Sequence, residues 1–284
     1  MAAVEGTPRY FAWLYSGERM RTILAPLFGI ESEINAALQP GLEHSVAHAR
    51  MTWWTEEAQR LRDGHALHPL TRALLAQRPP PPGSITVTAG SGPDVSGLVD
   101  VASWDLACAT FETGRDLAGY CDRWACAVTR LAATWAVPDL STASAEAGHS
   151  LGVALCELDM LMTLRQSARR GRLRVPLDEL TALGVAPDAL AQSPWPAALS
   201  QRLRERHRQL RGALTASCAQ LRAGDQRVEL RGLLVWAALM QQHSRRAEHA
   251  LPRDWRRGRW DGVGDALRAW RAARRAMMRK LTTP

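Results

Sequence analysis

A cluster of arginines between residues 151 and 185 has the chemistry needed to bind an anion. Arg169, Arg170 and Arg172 surround a glycine at the end of a helical apolar pattern, and Pro176 opens the next segment. Guanidinium groups bind phosphate oxygens in pairs without needing a metal ion. A structural interpretation is also open, because cations at a helix C-terminus offset the helix dipole and Gly171 can supply the turn.

Three regions of the chain together carry a resemblance to a known family. They span residues 50–69, residues 111–121 and the arginine-containing segment 151–185. The matching residues of the first two regions are Arg50, Trp53, Trp54, Glu56, Glu57, Gly64, His68 and Pro69, then Phe111, Thr113, Asp116, Leu117, Tyr120 and Cys121. In type, order and spacing these regions resemble the squalene/phytoene synthase family, and the similarity extends over residues 9–250.

The resemblance implies an all-α fold, an isoprenoid synthase-type helical bundle around a central cavity. The sequence agrees, because apolar residues recur at helical spacing and strand patterns are scarce. We expect a single domain over residues 1–284, in which the helices containing Asn35 and Thr163 face each other across the cavity. A proline-rich segment at 79–97 is expected to be an inserted surface loop, and 262–281 a basic C-terminal helix.

Enzymes of this family hold Mg²⁺ with pairs of aspartates, and the corresponding positions here are neutral. By resemblance those positions are Asn35, Gln39, Thr163 and Ser167. Mg²⁺ prefers carboxylates and substrate phosphates as ligands, so the resemblance implies no catalytic residue and no metal site. Glu31 and Asp159, each one turn before a replaced position, are the candidates for displaced metal ligands. The text around Glu31 also resembles the family branch that includes a mitochondrial respiratory complex I assembly factor.

The resemblance further implies an anion-binding group that would survive without metal. The ligand-binding candidates are Arg50, Tyr120, Arg169, Arg170 and Arg172. We expect three of the arginines, at positions 50, 169 and 172, to lie near one mouth of the cavity, with the four replaced positions lining it. An isoprenoid diphosphate or a lipid is the ligand expected from this arrangement.

The charge of the chain favours anionic partners. It has 36 Lys and Arg against 28 Asp and Glu, a formal net charge of +8. Much of the excess follows residue 253, where Trp255, Trp260 and Trp270 are interspersed with arginines. A basic amphipathic helix with tryptophans is typical of a membrane interface, although a helix packed on the core with a solvated arginine face has the same pattern. Nucleic acid is not expected as a partner, since no binding motif accompanies the charge.

The sequence also bears on the location of the protein and on possible metal sites. No apolar run could span a bilayer, and the first residues lack a signal-peptide layout, so we expect a cytoplasmic protein with peripheral inner-membrane contact as an option. The five cysteines form no CxxC pair and predict buried thiols. His44 and His48 are one helical turn apart but have no third ligand in register.

Two functions remain open on the sequence. The first is a catalytically impaired family member that binds an isoprenoid, a lipid or a partner protein, for example in respiratory-complex assembly. The second is an active head-to-head prenyl transferase that condenses farnesyl or geranylgeranyl diphosphate. No cofactor is expected for the first, and Mg²⁺ for the second. The missing carboxylates favour the first, because neutralising the leaving diphosphate is the main task of such an enzyme.

Overall fold

The chain folds entirely into helices in the part that the structure describes. That structure is a computed structural model, and it describes residues 4–39, 41–79, 92–255, 258 and 261–278, among which no strand occurs. The expected all-α fold class is therefore confirmed. Most of the loop insertion expected at 79–97 lies outside the described residues, and its last two residues, Ser96 and Gly97, already belong to a helix.

Thirteen α-helices are described. They are α1 (Pro8–Tyr15), α2 (Glu18–Ala36), α3 (His44–Arg62), α4 (Pro69–Leu75), α5 (Ser96–Leu106), α6 (Gly114–Ala125), α7 (Leu131–Ala136), α8 (Thr142–Met162), α9 (Leu164–Arg169), α10 (Leu177–Ala182), α11 (Ala197–Ala223), α12 (Arg231–Ala250) and α13 (Asp261–Met277). A π-helical turn, Cys126–Arg130, joins α6 to α7, and two 3₁₀ turns occupy Pro187–Ala191 and Asp225–Arg227.

The first helix of the bundle is short and separate from the second. Helical periodicity predicts one helix over 9–38, but the backbone is extended at Ser16 and Gly17. Ser16 instead hydrogen bonds through Oγ to the carbonyl of Ala12. The break turns α1 back onto α12, where it also contacts α2. This turn places the N-terminal end of α1 over the interior of the bundle.

Helix α8 forms the centre of the bundle and packs against α6, α11, α12 and the π-helical turn. Close approach of α8 to that turn requires a glycine. A Cβ on Gly152 would meet Oγ1 of Thr129 at 1.9 Å and Cβ of Ala125 at 2.9 Å, well inside van der Waals contact. The small residue therefore sets the distance between α8 and the helix beside it.

Several residues of the recognised motifs fix the turns of the fold. Glu57 is fully buried and accepts hydrogen bonds from the backbone of Leu67 and His68 and from the Thr71 hydroxyl, which holds the turn between α3 and α4. Thr113 and Asp116 form a capping box at the start of α6. These contacts position the helices.

Helix α13 completes the fold at its outer edge, where it packs on α12 and α1. Its buried face is built from small side chains, chiefly Ala269, Ala272 and Ala273, in a cluster with Val235 and Leu239 of α12. The expected basic C-terminal helix is thus present within the described range, and residues 279–284 lie outside it. No helix in the described part combines the length and the apolar character needed to cross a membrane.

Candidate functional site

A cavity of about 510 Å³ lies in the middle of the bundle, between α1, α2, α5, α6, α8 and α12. This volume is within the range of sites for small organic ligands, about 300–1,000 Å³. One part of its wall is apolar and the rest is charged. The apolar wall residues are Ile34, Leu98, Val101, Ala102, Leu155, Met160, Trp236 and Met240.

Arg9 and Glu31 form the first charged group of the cavity. Nη1 of Arg9 donates to Oε2 of Glu31 at 2.6 Å, and Nε1 of Trp124 donates to the other oxygen at 2.9 Å. The guanidinium also lies 5.7–5.8 Å from the ring centroids of Phe28, Trp124 and Trp236, in cation–π geometry. The turn between α1 and α2 brings this arginine to a carboxylate 22 positions away.

Asp159 of α8 is the second acidic group and faces the open cavity. Its side chain is exposed and lines both this cavity and an adjoining one. Burial and the nearby Glu31 raise the pKa of Asp159, while attraction to Arg9 and Arg174 opposes the rise. Burial lowers the pKa of Arg9, but attraction to Glu31 and Asp159 outweighs it and the net pKa is raised. The Arg9 guanidinium thus interacts electrostatically with both carboxylates.

A second charged group lies at another part of the wall, around Asp105 of α5. Oδ2 of Asp105 accepts from Nη2 of Arg174 at 2.7 Å and from the hydroxyl of Tyr120 at 3.2 Å. Burial and the Asp105 charge raise the pKa of Tyr120, which keeps the phenol neutral. Oδ1 of Asp105 is buried and has no hydrogen-bond partner among the described residues. A ligand with a hydroxyl could satisfy this oxygen.

The four positions that the resemblance aligns with the family's aspartates do not behave alike. Asn35 and Thr163 line the cavity, on facing helices, whereas Gln39 and Ser167 are not among the described lining residues. Gln39 is exposed because α2 ends three residues earlier, at Ala36. Ser167 lies on α9, which is separated from α8 by the non-helical backbone of Thr163 at φ −105°, ψ 10°. The expectation that all four line the cavity is therefore corrected to two.

The five ligand-binding candidates also lie at different places in the structure. Tyr120 lines the cavity. Arg169 lines an adjoining cavity that shares Asp159 and Thr163 with the central one, and its Nε donates to the carbonyl of Ala191 at 3.3 Å. This places Arg169 at a mouth of the central cavity.

The remaining three arginines are not among the lining residues of either cavity. Arg172 is half-buried, 3.8 Å from Asp105, and donates to the carbonyl of Leu38. Arg170 is exposed beyond α9, beside Gly171, whose φ of +77° ends the helix. Arg50 is exposed on α3, next to the buried stripe that includes Met51, and does not line the cavity. Its expected position near the mouth stays a prediction.

The donor set of the cavity is a poor fit for Mg²⁺, which demands near-octahedral oxygen ligands. Asn35 offers a neutral amide, and Oγ1 of Thr163 is bonded to the carbonyl of Asp159 at 2.8 Å. Both oxygens of Glu31 already accept hydrogen bonds. Asp159 is left as the single lining carboxylate of this group that accepts no hydrogen bond from a described residue, and it faces the fixed positive charge of Arg9.

One further cluster of potential metal ligands occurs among the described residues, away from the cavity. His149 of α8 contacts Oδ1 of Asp122 through Nε2 at 2.8 Å and Sγ of Cys126 through Nδ1 at 3.6 Å. Both ring nitrogens are thus engaged by neighbours, and the contacts join α8 to α6 and the π-helical turn.

Sequence reasoning missed Arg9, Asp105, Trp124 and Arg174. A signal existed for two of them, since Trp124 follows the motif that contains Tyr120, and Arg174 continues the arginine cluster. Arg9 had none, because its partner is a residue of another helix. Asp105 likewise meets Arg174 across 69 positions. Such contacts depend on helix packing and are not visible in local spacing.

Comparisons with known proteins agree with this architecture. The family model described as Squalene/phytoene synthase matches residues 6–264. Among curated proteins none matches. A crystal structure of a dehydrosqualene synthase in complex with ligand aligns with a TM-score of 0.72 at 13% identity, covering 94% of this chain and 90% of that one.

A second solved structure, of the squalene synthase HpnC from Alicyclobacillus acidocaldarius, aligns with a TM-score of 0.67 at 15% identity. It covers 84% of this chain and 87% of that chain. At these identities the likeness to the two structures concerns the fold.

Proposed function

The chain belongs to the squalene/phytoene synthase family, and on that premise we propose that it is a non-catalytic member whose central cavity binds a neutral isoprenoid or lipid. The observation that carries the proposal is the position of Arg9. Its guanidinium is bonded to Glu31 and attracted to Asp159, the two carboxylates nearest the replaced aspartates. A positive side chain bonded to one of these carboxylates and attracted to the other opposes the binding of a second cation.

The charge of the lining supports a neutral rather than a diphosphate ligand. Two arginines and three carboxylates line the cavity: Arg9, Arg174, Glu31, Asp105 and Asp159. Each arginine is paired with a carboxylate of the wall. A diphosphate would therefore meet two lining arginines that are already paired and at least one carboxylate oxygen without a hydrogen-bond partner among the described residues, which disfavours a multiply charged anion.

The polar groups that remain free suit an alcohol. Oδ1 of Asp105 lacks a partner, and neither Asn35 nor Asp159 makes a side-chain hydrogen bond to a described residue. A hydroxyl can donate to a carboxylate and accept from an amide. The apolar wall would receive the hydrocarbon chain, whose transfer from water contributes about 25 cal/mol per Å² buried. A prenyl alcohol such as farnesol is the simplest ligand with both parts.

The alternative function is an active head-to-head prenyl transferase that condenses farnesyl or geranylgeranyl diphosphate. One observation favours it: Glu31 and Asp159 occupy facing helices and both line the cavity, as displaced metal ligands would. It requires Arg9 to release both carboxylates so that Mg²⁺ can bind. A third outcome, a protein scaffold with no small ligand, applies if the cavity binds neither kind of isoprenoid.

The deciding experiment compares farnesol with farnesyl diphosphate as ligands of the purified protein, with and without Mg²⁺, by calorimetry and by analysis of products. We expect binding of farnesol, weaker binding of the diphosphate, and no squalene- or phytoene-type product. Ala102→Phe, which fills the cavity, should abolish binding, and Arg50→Ala, outside the lining, should leave it unchanged. Turnover of the diphosphate would establish the alternative, and loss of diphosphate binding in Arg50→Ala would support an anion site on α3.

A further inference from the structure

Helix α13 shows two adjacent stripes on its outer side. The apolar stripe consists of Val263, Leu267, Trp270 and Met277, which recur at helical spacing on one face and keep 46–67% of their surface exposed. Beside it lie Arg268, Arg271 and Arg275, also at helical spacing. Soluble proteins seldom expose large apolar side chains in one contiguous row unless the row binds something.

The arginines of α13 form one wall of a groove that we call the arginine groove. It has a volume of about 620 Å³ and is completed by Arg222 of α11 and by Arg245 and Arg246 of α12. Arg246 pairs with Asp261 at 2.8 Å. The other five arginines of the groove make no ion pair or side-chain hydrogen bond with any residue in the described ranges.

The concentration of like charge in the groove is costly to the folded protein. Burial, followed by repulsion from Arg245 and Arg246, lowers the pKa of Arg268. Six arginines with few carboxylates among them gain from an external anion, and guanidinium groups bind phosphate oxygens in pairs. The groove therefore has the chemistry of a site for phosphate groups.

The other flank of the apolar stripe is an apolar recess. It has a volume of about 330 Å³ between α1 and α13, and Trp270 and Met277 line it together with Leu14 and Tyr15. Leu14 is itself 38% exposed. The outer side of α13 thus presents, in order, a cationic groove, an exposed apolar ridge and a recess wide enough for a hydrocarbon chain.

We propose that this side of α13 docks on an anionic lipid bilayer, with the arginine groove binding lipid phosphates and the apolar stripe entering the headgroup region. Charge complementarity selects the bilayer as the occupant, since both features suit a surface that is anionic outside and apolar beneath. A nucleic acid would engage the groove but leave the stripe in water. The proposal is independent of what the central cavity holds.

Vesicle flotation tests the proposal with the full chain. The probes are vesicles of phosphatidylcholine alone and of equal parts phosphatidylcholine and phosphatidylglycerol. We expect binding to the anionic vesicles only, weakening with added salt. The charge variant Arg268→Gln/Arg271→Gln/Arg275→Gln should weaken binding about a hundredfold, because each basic residue near an anionic surface contributes about fivefold.

Matched variants separate a docking surface from net charge. Arg72→Gln/Arg115→Gln/Arg130→Gln removes the same charge from exposed positions on other helices and should retain most of the binding. Leu267→Ser/Trp270→Ser keeps every arginine and should weaken binding at high salt more than at low salt. Both substituted side chains are already half exposed, so the fold should persist, which thermal unfolding would check.

Several results would overturn the proposal. If the two triple variants lost vesicle binding equally, net charge alone would explain the effect. Thermal stabilisation by inorganic pyrophosphate, abolished in the charge variant, with no vesicle binding by the wild type, would make the groove a site for a free phosphate compound. An oligonucleotide that binds more tightly than anionic vesicles at the same salt, unaffected by Leu267→Ser/Trp270→Ser, would assign the groove to nucleic acid.

Discussion

Arg9 determines the chemistry that the cavity can support. Its guanidinium donates to Glu31, attracts the carboxylate of Asp159 and lies near three aromatic rings. Burial of Glu31 without a cation would leave a charge with too few partners in a low-dielectric setting. The arginine thus stabilises the polar end of the cavity, and its charge would repel a metal ion that bound to Glu31.

Replacing Arg9 should destabilise the protein, because the buried carboxylate of Glu31 then lacks its cation. We expect Arg9→Met to lower the free energy of unfolding by about 1–3 kcal/mol, less than the about 3–5 of a fully buried pair, because the Arg9 side chain is 32% exposed. The double variant Arg9→Met/Glu31→Gln should recover part of the loss, since it removes the orphaned charge.

Chemical denaturation of both variants and of the surface control Arg72→Met measures this. A double variant as unstable as Arg9→Met, or a control that loses as much, would show that the ion pair is not the source of the effect. Loss of farnesol binding in Arg9→Met with an unchanged unfolding curve would instead place Arg9 in direct contact with the ligand.

Helix boundaries explain what the sequence could and could not predict about the site. Apolar periodicity predicts helices over 43–62, 195–222 and 227–249, close to α3, α11 and α12, since each has a continuous buried stripe. The same periodicity continues across the helix breaks at Gly17 and Thr163, so it predicts no break there. A polar or small residue at these positions is compatible with a helix as well as with a turn. Those two breaks decide that Arg9 reaches the cavity and that Ser167 does not.

The contact between α11 and α12 makes stability depend on pH. His207 is buried, its Nδ1 lies 3.0 Å from the Ser244 hydroxyl, and burial with the nearby Arg211 lowers its pKa from 6.5 to about 4. The unfolded chain therefore binds the proton first. The stability that comes from a neutral His207 is complete above pH 6.5 and is lost as the pH falls toward 4, by about 3 kcal/mol in total.

Denaturation curves at a series of pH values check this expectation. The slope of unfolding free energy against pH between 6.5 and 4 should flatten in His207→Gln and remain in the exposed control His65→Gln. An unchanged slope in His207→Gln would assign the acid sensitivity to other groups, such as the ion pairs of Glu248 with Arg208 and Arg211.

The fold of this family survives here because its determinants are spread across the bundle. Glu57 holds one turn, Gly152 sets one helix distance, and Thr113 with Asp116 starts α6. None of these residues takes part in the charged cavity groups. The motifs that carried the resemblance are largely these structural residues, which is why they predicted the fold well and the site incompletely. By resemblance, the family's metal-binding aspartates fall at a few separate positions, and such positions can change without loss of packing.

Restoring carboxylates to the cavity tests whether its geometry still suits a metal. Only two of the four replaced positions line it, so the informative variant is Asn35→Asp/Thr163→Asp. With Glu31 and Asp159 it would place four carboxylates around one arginine, a charge imbalance that Mg²⁺ can relieve. We expect Mg²⁺ to raise the melting temperature of the variant and to leave that of the wild type unchanged. Gln39→Asp/Ser167→Asp, which adds the same charge outside the lining, is the matched control. Stabilisation of the wild type by Mg²⁺ would show that the metal ion can bind in the presence of Arg9. It would then favour the active prenyl transferase over the non-catalytic protein.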